Sequence, residues 1–306
     1  MQPVRTSEPF FRAFLRRTAL ALEMVKFEHS VFALPFALTG ALLAWRDLGF
    51  PLEGLPAKLG WIIVAMVGAR SAAMAFNRIL DAEIDSRNPR TKSRHLPAGI
   101  LSRRFAWGFL LAATAVFLLA AAMLNPLCLK LAPLALAVVF VYSWTKRFTS
   151  LSHLVLGFSL GIAPAAAWIA MTGELDPRIL WITAAVALWT AGFDIIYSCQ
   201  DYEFDRREGL FSMPRRLGIG GALMVARGFH VCMVICLAAA AWSFGLGIAA
   251  LLGIVAVAML LLWEHRLVRA DDLSRVDAAF FTVNGWVSVL FFCFWTADVL
   301  LNRKAF

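Results

Sequence analysis

The sequence predicts an all-α, polytopic membrane protein, and three features support this: an apolar composition, long apolar runs and an uneven distribution of basic residues. Of the 306 residues, 61% are hydrophobic and 16% are charged, and the mean hydropathy is +0.74. A soluble domain of ordinary composition is far less apolar. A spanning helix needs about 20 mostly apolar residues, so this chain can supply many spans.

Apolar runs bounded by polar residues, glycine or proline mark nine candidate spans. The runs cover residues 27–45, 58–80, 105–124, 127–144, 152–171, 179–199, 221–243, 245–263 and 279–300. Two pairs of runs follow each other closely, and turns at Asn125-Pro126 and around Gly245 separate their members. We therefore expect nine transmembrane helices.

The basic residues predict the orientation of these helices, because lysine and arginine favour the cytoplasmic side of a membrane. With the N-terminus in the cytoplasm, most of the 29 lysines and arginines fall in inner loops. The formal charge of +9 is then mainly an orientation signal, and neither a nucleic-acid partner nor an obligate protein partner is expected. The chain reads as one membrane domain, 1–306, with an interfacial cytoplasmic segment at 1–25 and no cleavable signal pattern.

The second predicted span ends in a polar cluster. Asn77, Asp81 and Asp85 are spaced four residues apart, so a helix places them on one face. Glu83 points away from that face. Carboxylates at the end of an apolar helix are costly and usually mark a functional site.

The sixth predicted span ends in a similar cluster. Asp194, Tyr197, Asp201 and Asp205 follow one stripe of a helix, with Glu203 off the stripe. Each cluster ends the second helix of a four-helix group. This spacing predicts an internal repeat: two four-helix halves around a central cavity, with the ninth helix as an addition.

Two such carboxylate clusters facing each other require a cation between them. Carboxylate and amide oxygens suit Mg²⁺, which keeps several waters and is readily completed by phosphate oxygens. The alternative is that the aspartates pair with arginines of the inner loops. Matching stripes in repeat-related positions favour a functional site.

Basic residues near the clusters are candidates for anion binding. Tyr142, Lys146 and Arg147 end the fourth span, where the two cations either anchor the helix or bind phosphate. Arg70 lies seven residues before Asn77 on the same stripe, so it should face the cavity. Lys26 precedes the first span, and it either contributes to substrate binding or lies at the interface.

The histidines lack the spacing of metal ligands. For His153, His230 and His265 we expect structural or surface roles.

The polar elements together resemble the UbiA superfamily of intramembrane aromatic prenyltransferases. Residues 77–85 resemble its first motif, Asn-x₃-Asp-x₃-Asp, and residues 194–205 resemble its second motif. Residues 142–147 are similar to its Tyr-x₃-Lys-Arg element, and the resemblance runs essentially from end to end. Residues 26–35 resemble the branch that contains bacterial quinone-pathway enzymes.

The resemblance implies a nine-helix bundle that opens laterally to lipid and is capped by loops at 86–104 and 206–220. It implies two Mg²⁺ ions bound by Asn77, Asp81, Asp85, Asp201 and Asp205. It assigns the diphosphate to Lys146, Arg147 and Arg78. The implied reaction transfers a polyprenyl group from its diphosphate to an aromatic quinone precursor, either 4-hydroxybenzoate or a dihydroxynaphthoate.

Three roles remain hypotheses within this interpretation. Asp194 or Tyr197 would assist acceptor activation or proton removal, and Arg70 would pair with an acceptor carboxylate. A transporter with a carboxylate-lined cavity is the alternative of another class, but its polar groups should lie on both sides of the midplane. A soluble-type isoprenyl diphosphate synthase would share the aspartate chemistry, and the nine spans argue against it.

Overall fold

The computed structural model describes residues 10–24 and 30–302, and within these ranges the chain forms helices and no β-strand. The α-helices are α1 Phe10–Met24, α2 Ser30–Asp47, α3 Leu55–Arg87, α4 Arg103–Leu124, α5 Pro126–Thr145, α6 Ser152–Thr172, α7 Ile179–Ser198, α8 Tyr202–Glu208, α9 Met213–Ser243, α10 Ile248–Leu267 and α11 Asn284–Leu301. A 3₁₀ turn, Cys199–Asp201, joins α7 to α8, and a π-helical turn, Ala278–Val283, leads into α11.

A helix occupies the position of every predicted span, and eight of these helices are long and apolar enough to cross a membrane. The remaining one, α2, has 18 described residues and ends in Arg46 and Asp47. The predicted start of its span, residues 27–29, lies outside the described residues. The protein is thus a multi-pass membrane protein, while the count of nine spans and the cytoplasmic N-terminus stay predictions.

Helix boundaries follow local side-chain chemistry. The Asn125 side chain accepts a hydrogen bond from the Cys128 N–H at 2.9 Å, and Pro126 occupies the first helical position of α5, where a missing N–H costs nothing. The Ser102 and Ser212 hydroxyls accept bonds from the first turns of α4 and α9 in the same way. The predicted turn at Asn125-Pro126 is therefore present.

The second cap segment differs from the prediction. Most of 206–220 is helical: α8 runs to Glu208, and α9 begins at Met213. Gly209 adopts φ 74° and ends α8, and Gly218 adopts φ 70° inside α9 and kinks it. Both conformations are of the left-handed type that glycine adopts without a steric penalty. The first cap segment is a true loop between α3 and α4.

Helix packing pairs the second and third helices of both predicted halves, α3 with α4 and α7 with α9. The first helices of the halves, α2 and α6, pack on each other, and α11 contacts α2 and α10. Small residues permit the closest approach: a Cβ on Gly157 of α6 would lie 2.1 Å from the Ala187 carbonyl oxygen of α7. Small residues at such contacts are the usual means of packing helices in a membrane.

A buried polar network joins α7, α10 and α11. The Trp189 indole N–H donates to Asn284 Oδ1 at 2.6 Å, and Asn284 Nδ2 donates to Glu264 Oε1 at 2.8 Å. All three side chains are fully buried. Polar groups in such surroundings are costly unless they are paired, so the network fixes the register of the three helices.

We expect Gly157→Ala to destabilise the protein by about 1–3 kcal/mol, because the added methyl group meets backbone rather than a movable side chain. Gly108→Ala in α4 is the matched control, since its Cβ would meet nothing within 4 Å. Thermal unfolding in detergent checks this: the midpoint should fall for Gly157→Ala and stay level or rise for Gly108→Ala. Equal midpoints would show that α6 and α7 are not closely packed here.

Candidate functional site

The first motif lies on the last turns of α3, which continues to Arg87. Asn77 Nδ2 donates to Asp81 Oδ2 at 3.1 Å, and a turn further on lies Asp85. Asp81 and Asp85 are 2% and 4% exposed, whereas Glu83 is exposed. The helical face inferred from the spacing therefore carries the buried acidic groups.

Asp81 is paired with the basic residues that end α5. Lys146 Nζ lies 2.6 Å from Asp81 Oδ2, and Arg147 Nη2 lies 3.1 Å from Asp81 Oδ1. Arg147 also donates to the Leu80 carbonyl oxygen at 3.0 Å. Both cations at the end of the fourth predicted span thus contact the first motif.

Asp85 is paired with the loop that follows α3. Arg94 Nη1 lies 2.8 Å from both Asp85 carboxylate oxygens, and the Thr91 hydroxyl donates to the Asp85 carbonyl oxygen at 3.1 Å. The chain therefore folds back over the helix end that it has just left.

The second motif is not on one continuous helix, and that prediction was wrong. α7 ends at Ser198, and the 3₁₀ turn changes the backbone before α8 begins at Tyr202. The tighter turn alters the angular spacing of the side chains along this segment. Glu203 is exposed, as its spacing predicts.

Asp201 is held by the same loop that holds Asp85. Asn88 Nδ2 donates to Asp201 Oδ1 at 3.0 Å, Arg90 Nε donates to it at 2.9 Å, and Arg90 Nη2 is ion-paired with Asp201 Oδ2. Burial alone would lower the pKa of Arg90, but its hydrogen bonds and charge interaction with Asp201 outweigh this and raise the pKa. Loop 88–102 thus connects the two motifs.

Tyr197 is fixed from two sides. Arg90 Nη1 donates to the Tyr197 hydroxyl at 3.1 Å, with the guanidinium carbon 5.1 Å from the ring centroid. On its other side the ring packs on Phe280 of the π-helical turn, with centroids 4.2 Å apart. Turns of this type often occur at functional sites.

Asp194 pairs with His153 of α6, at 2.6 Å from Nδ1 to Oδ2. The Met213 N–H donates to His153 Nε2 at 3.3 Å, so Nε2 accepts and Nδ1 carries the proton that is donated to Asp194. Sequence reasoning missed this role of His153. No spacing could reveal it, because the two residues lie on different helices.

Tyr142 and Asp205 connect the elements further. The Tyr142 hydroxyl lies among the charges of Asp81 and Asp194, which belong to different motifs. Asp205 lies near Lys146 and His153, beside the Ser212 hydroxyl.

Arg78 and Arg70 lie on α3 before the aspartates. Arg78 is 8% exposed and donates through Nε to the Met24 carbonyl oxygen at 3.3 Å. The buried Nε of Arg70 has no hydrogen-bond partner among the described residues. Lys26, the remaining sequence-predicted substrate contact, lies outside the described residues.

Three of the four motif aspartates that were predicted as metal ligands are paired with cations of this chain, which matches the alternative weighed from the sequence. In the described ranges, no three histidine, cysteine, aspartate or glutamate side chains are grouped closely enough to hold a metal ion. An all-oxygen donor set still fits Mg²⁺, because that ion needs only one or two carboxylates when water and phosphate supply the rest. The residues therefore fit Mg²⁺ together with a phosphate-bearing ligand.

Comparison with known proteins places this arrangement in a family. The UbiA prenyltransferase family profile matches residues 33–295, which include both motifs. A 4-hydroxybenzoate octaprenyltransferase of Vibrio atlanticus (strain LGP32) is 31% identical over 265 residues, covering 83% of this chain and 92% of that protein. A protein of the same name from Shewanella sediminis (strain HAW-EB3) is 28% identical over 240 residues, covering 78% and 83%.

Solved structures agree with the sequence relatives. The apo structure of a UbiA homolog from Aeropyrum pernix K1 superimposes with a TM-score of 0.78 at 36% identity, covering 90% of this chain and 98% of that one. A UbiA homolog from Archaeoglobus fulgidus, bound to DMAPP and Mg²⁺, shares the fold with a TM-score of 0.70 at 19% identity, covering 92% and 99%. The chain belongs to the UbiA prenyltransferase family.

Proposed function

We propose that this prenyltransferase transfers a polyprenyl group from its diphosphate to 4-hydroxybenzoate in an Mg²⁺-dependent reaction. The observation that carries the proposal is the joining of two aspartate motifs and several cations, with Arg70, whose buried Nε has no hydrogen-bond partner among the described residues, about two turns before Asn77. Relatives named 4-hydroxybenzoate octaprenyltransferase support the acceptor. Fold neighbours bound to DMAPP or GPP with Mg²⁺ support the donor and the metal.

The ion pairs of the site provide exchangeable groups for the donor. Asn77, Asp81 and Asp85 would hold one Mg²⁺ ion, and Asp201 and Asp205 would hold a second. Bound there, the metal would neutralise charge on the departing diphosphate. Lys146 and Arg147, which are now paired with Asp81, would turn to the diphosphate oxygens, and Arg78 would also bind the diphosphate. Each carboxylate and each cation then keeps a partner of opposite charge.

Arg70 is the proposed partner of the acceptor carboxylate. It lies seven residues before Asn77 on α3, about 10 Å deeper along the helix. A charged side chain at the centre of a membrane helix costs about 2.5–3.5 kcal/mol even on the lenient insertion scale. A carboxylate ligand would offset this cost and would orient the phenol ring.

The remaining side chains would handle the proton and shield the reaction. The allylic C–O bond breaks with its electron pair on the diphosphate, and a ring carbon then forms the new C–C bond. Asp194, oriented by His153, would take the ring proton. Tyr197 would help to position the acceptor, and Tyr142 lies between the motifs where it can contact either substrate.

We propose that this site lies at the cytoplasmic face of the inner membrane, as the distribution of basic residues favours, in a single domain of residues 1–306. The motif aspartates lie in the last two turns of α3, in the last turns of α7 or beyond α7. Both helices would then run from the outer to the inner face, and the hydrophobic donor would reach the site from the lipid.

The experiment that tests the proposal is product formation by purified protein in liposomes. Geranyl diphosphate and Mg²⁺ would be supplied with 4-hydroxybenzoate or, in parallel, with a dihydroxynaphthoate. We expect prenylated 4-hydroxybenzoate, and EDTA should abolish its formation. If only the naphthoate were prenylated, the proposed acceptor would be wrong. If neither acceptor gave a product, the proposed reaction would be wrong.

We expect Asp81→Asn to lower kcat at least about 100-fold, because it removes one metal-binding charge from the site. Glu83→Gln is the matched control, since it makes the same chemical change two residues away on the exposed face. The two variants would be compared by the prenylation rate at saturating substrates. Equal losses would argue against a metal role for the buried face.

We expect Arg70→Met to raise the KM for 4-hydroxybenzoate about 10-fold or more, with a smaller change in kcat. The wild-type enzyme should also bind a neutral analogue, 4-hydroxybenzyl alcohol, more weakly than the acid. The losses of acceptor binding caused by the substitution and by the analogue should not add, because each removes the same ion pair. An unchanged KM for 4-hydroxybenzoate would eliminate the assignment of Arg70.

We expect Asp194→Asn to lower kcat about 100-fold without changing the KM for the prenyl diphosphate. Asp298→Asn is the matched control, because Asp298 is an even less exposed aspartate that accepts hydrogen bonds from the Gly247 and Ala250 N–H groups at the start of α10. That change should lower thermal stability and leave kcat per folded molecule near the wild-type value. If Asp194→Asn and Asp298→Asn had the same kcat, the proposed role of Asp194 in proton removal would be wrong.

A further inference from the structure

A second basic site lies outside the aspartate cluster, where the segment after α5 meets the start of α9. A cavity of about 400 Å³ opens there, and Phe148, Ser150, Phe211, Arg215 and Arg216 line it. It adjoins the prenyl-transfer site: the Phe211 N–H donates to the Lys146 carbonyl oxygen at 2.8 Å, and Ser212, whose hydroxyl lies beside Asp205, also lines the cavity. Neither motif contributes a side chain to the lining.

The two arginines of this cavity have no acidic partner among the residues that the structure describes. Arg215 Nη1 donates to the Leu210 carbonyl oxygen at 2.7 Å, and Arg216 Nη1 donates to the Ser150 hydroxyl at 3.3 Å. The basic residues of the aspartate site differ, since Arg90 and Arg94 are each ion-paired with a carboxylate. The cavity therefore carries two positive charges that the described part of the chain does not compensate.

The N-terminus of α9 makes the two positive charges of this cavity more unfavourable. Arg215 and Arg216 lie in the first turn of α9, and that turn contains no acidic residue. The N-terminus of a helix carries a partial positive charge, which favours anions and opposes cations. A bound anion would be stabilised by both guanidinium groups and by the helix end.

The rim of the cavity is apolar. Phe148 is 63% exposed and Phe211 is 42% exposed, and Leu151 and Leu217 nearby are also exposed. The Arg215 guanidinium carbon lies 5.1 Å from the Phe211 ring centroid. Because α5 and α9 are both candidate spans, this rim lies where spanning helices end, at the boundary between hydrocarbon and headgroups. Aromatic and aliphatic side chains next to cations fit acyl chains next to a phosphate.

We propose that this cavity binds the phosphate headgroup of an anionic membrane phospholipid. The two arginines hold the phosphate, the Ser150 hydroxyl lies beside it, and the exposed phenylalanines contact the acyl chains. Basic pockets at the cytoplasmic ends of membrane helices recognise such headgroups. An inorganic phosphate ion would match the arginines but would leave the apolar rim without a partner.

The test uses the purified full chain in neutral detergent with added phosphatidylglycerol or phosphatidylcholine. Native mass spectrometry measures retained lipid, and the thermal midpoint reports its effect on stability. We expect retention of phosphatidylglycerol and a higher midpoint, with little effect of phosphatidylcholine. Equal retention of the two lipids would overturn the proposal, and so would an equal rise in midpoint with inorganic phosphate.

The arginines are tested by Arg215→Gln with Arg216→Gln. Their removal should weaken phosphatidylglycerol binding about 10-fold or more. Arg266→Gln with Arg275→Gln is the matched control, because it removes the same charge from two exposed residues outside the cavity. Arg216→Gln alone is included in case the double variant misfolds. Among the described residues the Arg216 guanidinium donates only to a serine hydroxyl, so the single variant should fold, and it should still bind phosphatidylglycerol more weakly. An equal loss of phosphatidylglycerol affinity in the control pair would show that only net charge matters, and it would overturn the proposed site.

Discussion

Pairing of buried carboxylates with cations from other segments is the constraint on which the site depends. An isolated carboxylate in apolar surroundings is far too costly to persist, so the buried Asp81 and Asp85 each require a partner, and the partly exposed Asp201 has one as well. Those partners come from the end of α5 and from the loop after α3. Arg90 and Arg94 lie on one short loop, so neutralising two aspartates also ties the C-terminal ends of α3 and α7 together.

The same pairing would allow the proposed site to exchange partners. An ion pair between a buried carboxylate and a partly exposed cation contributes little net stability, because desolvation of the charges offsets most of their attraction. Removing one partner is strongly unfavourable, whereas replacing both partners at once is not. A metal for the carboxylates and a diphosphate for the cations is such a double replacement. The metal and the diphosphate would therefore be expected to bind in a coupled manner.

The sequence was sufficient for a helix at each predicted span and for the buried face of the first motif, because both follow from apolar runs and a single helical period. It was insufficient wherever the position or pairing of a side chain depended on contacts between helices and loops. Nothing in the spacing of Asp194 and Asp205 distinguishes a continuous helix from one broken by a 3₁₀ turn. The pairing of His153 with Asp194 and the choice of Arg90 rather than a neighbouring basic residue depend on how helices and loops pack in space.

The position of α7 links packing to the proposed chemistry. Gly157 lets α6 approach Ala187, and one turn before Gly157 that approach brings His153 to Asp194. On the opposite side, a Cβ on Gly192 would lie 2.2 Å from His230 Nε2, so α9 also contacts the α7 backbone directly. The 3₁₀ turn at Cys199–Asp201 follows this closely packed length of α7. The second motif is therefore directed by packing within the membrane, and changes at either glycine should alter the position of the Asp194 carboxylate before they unfold the bundle.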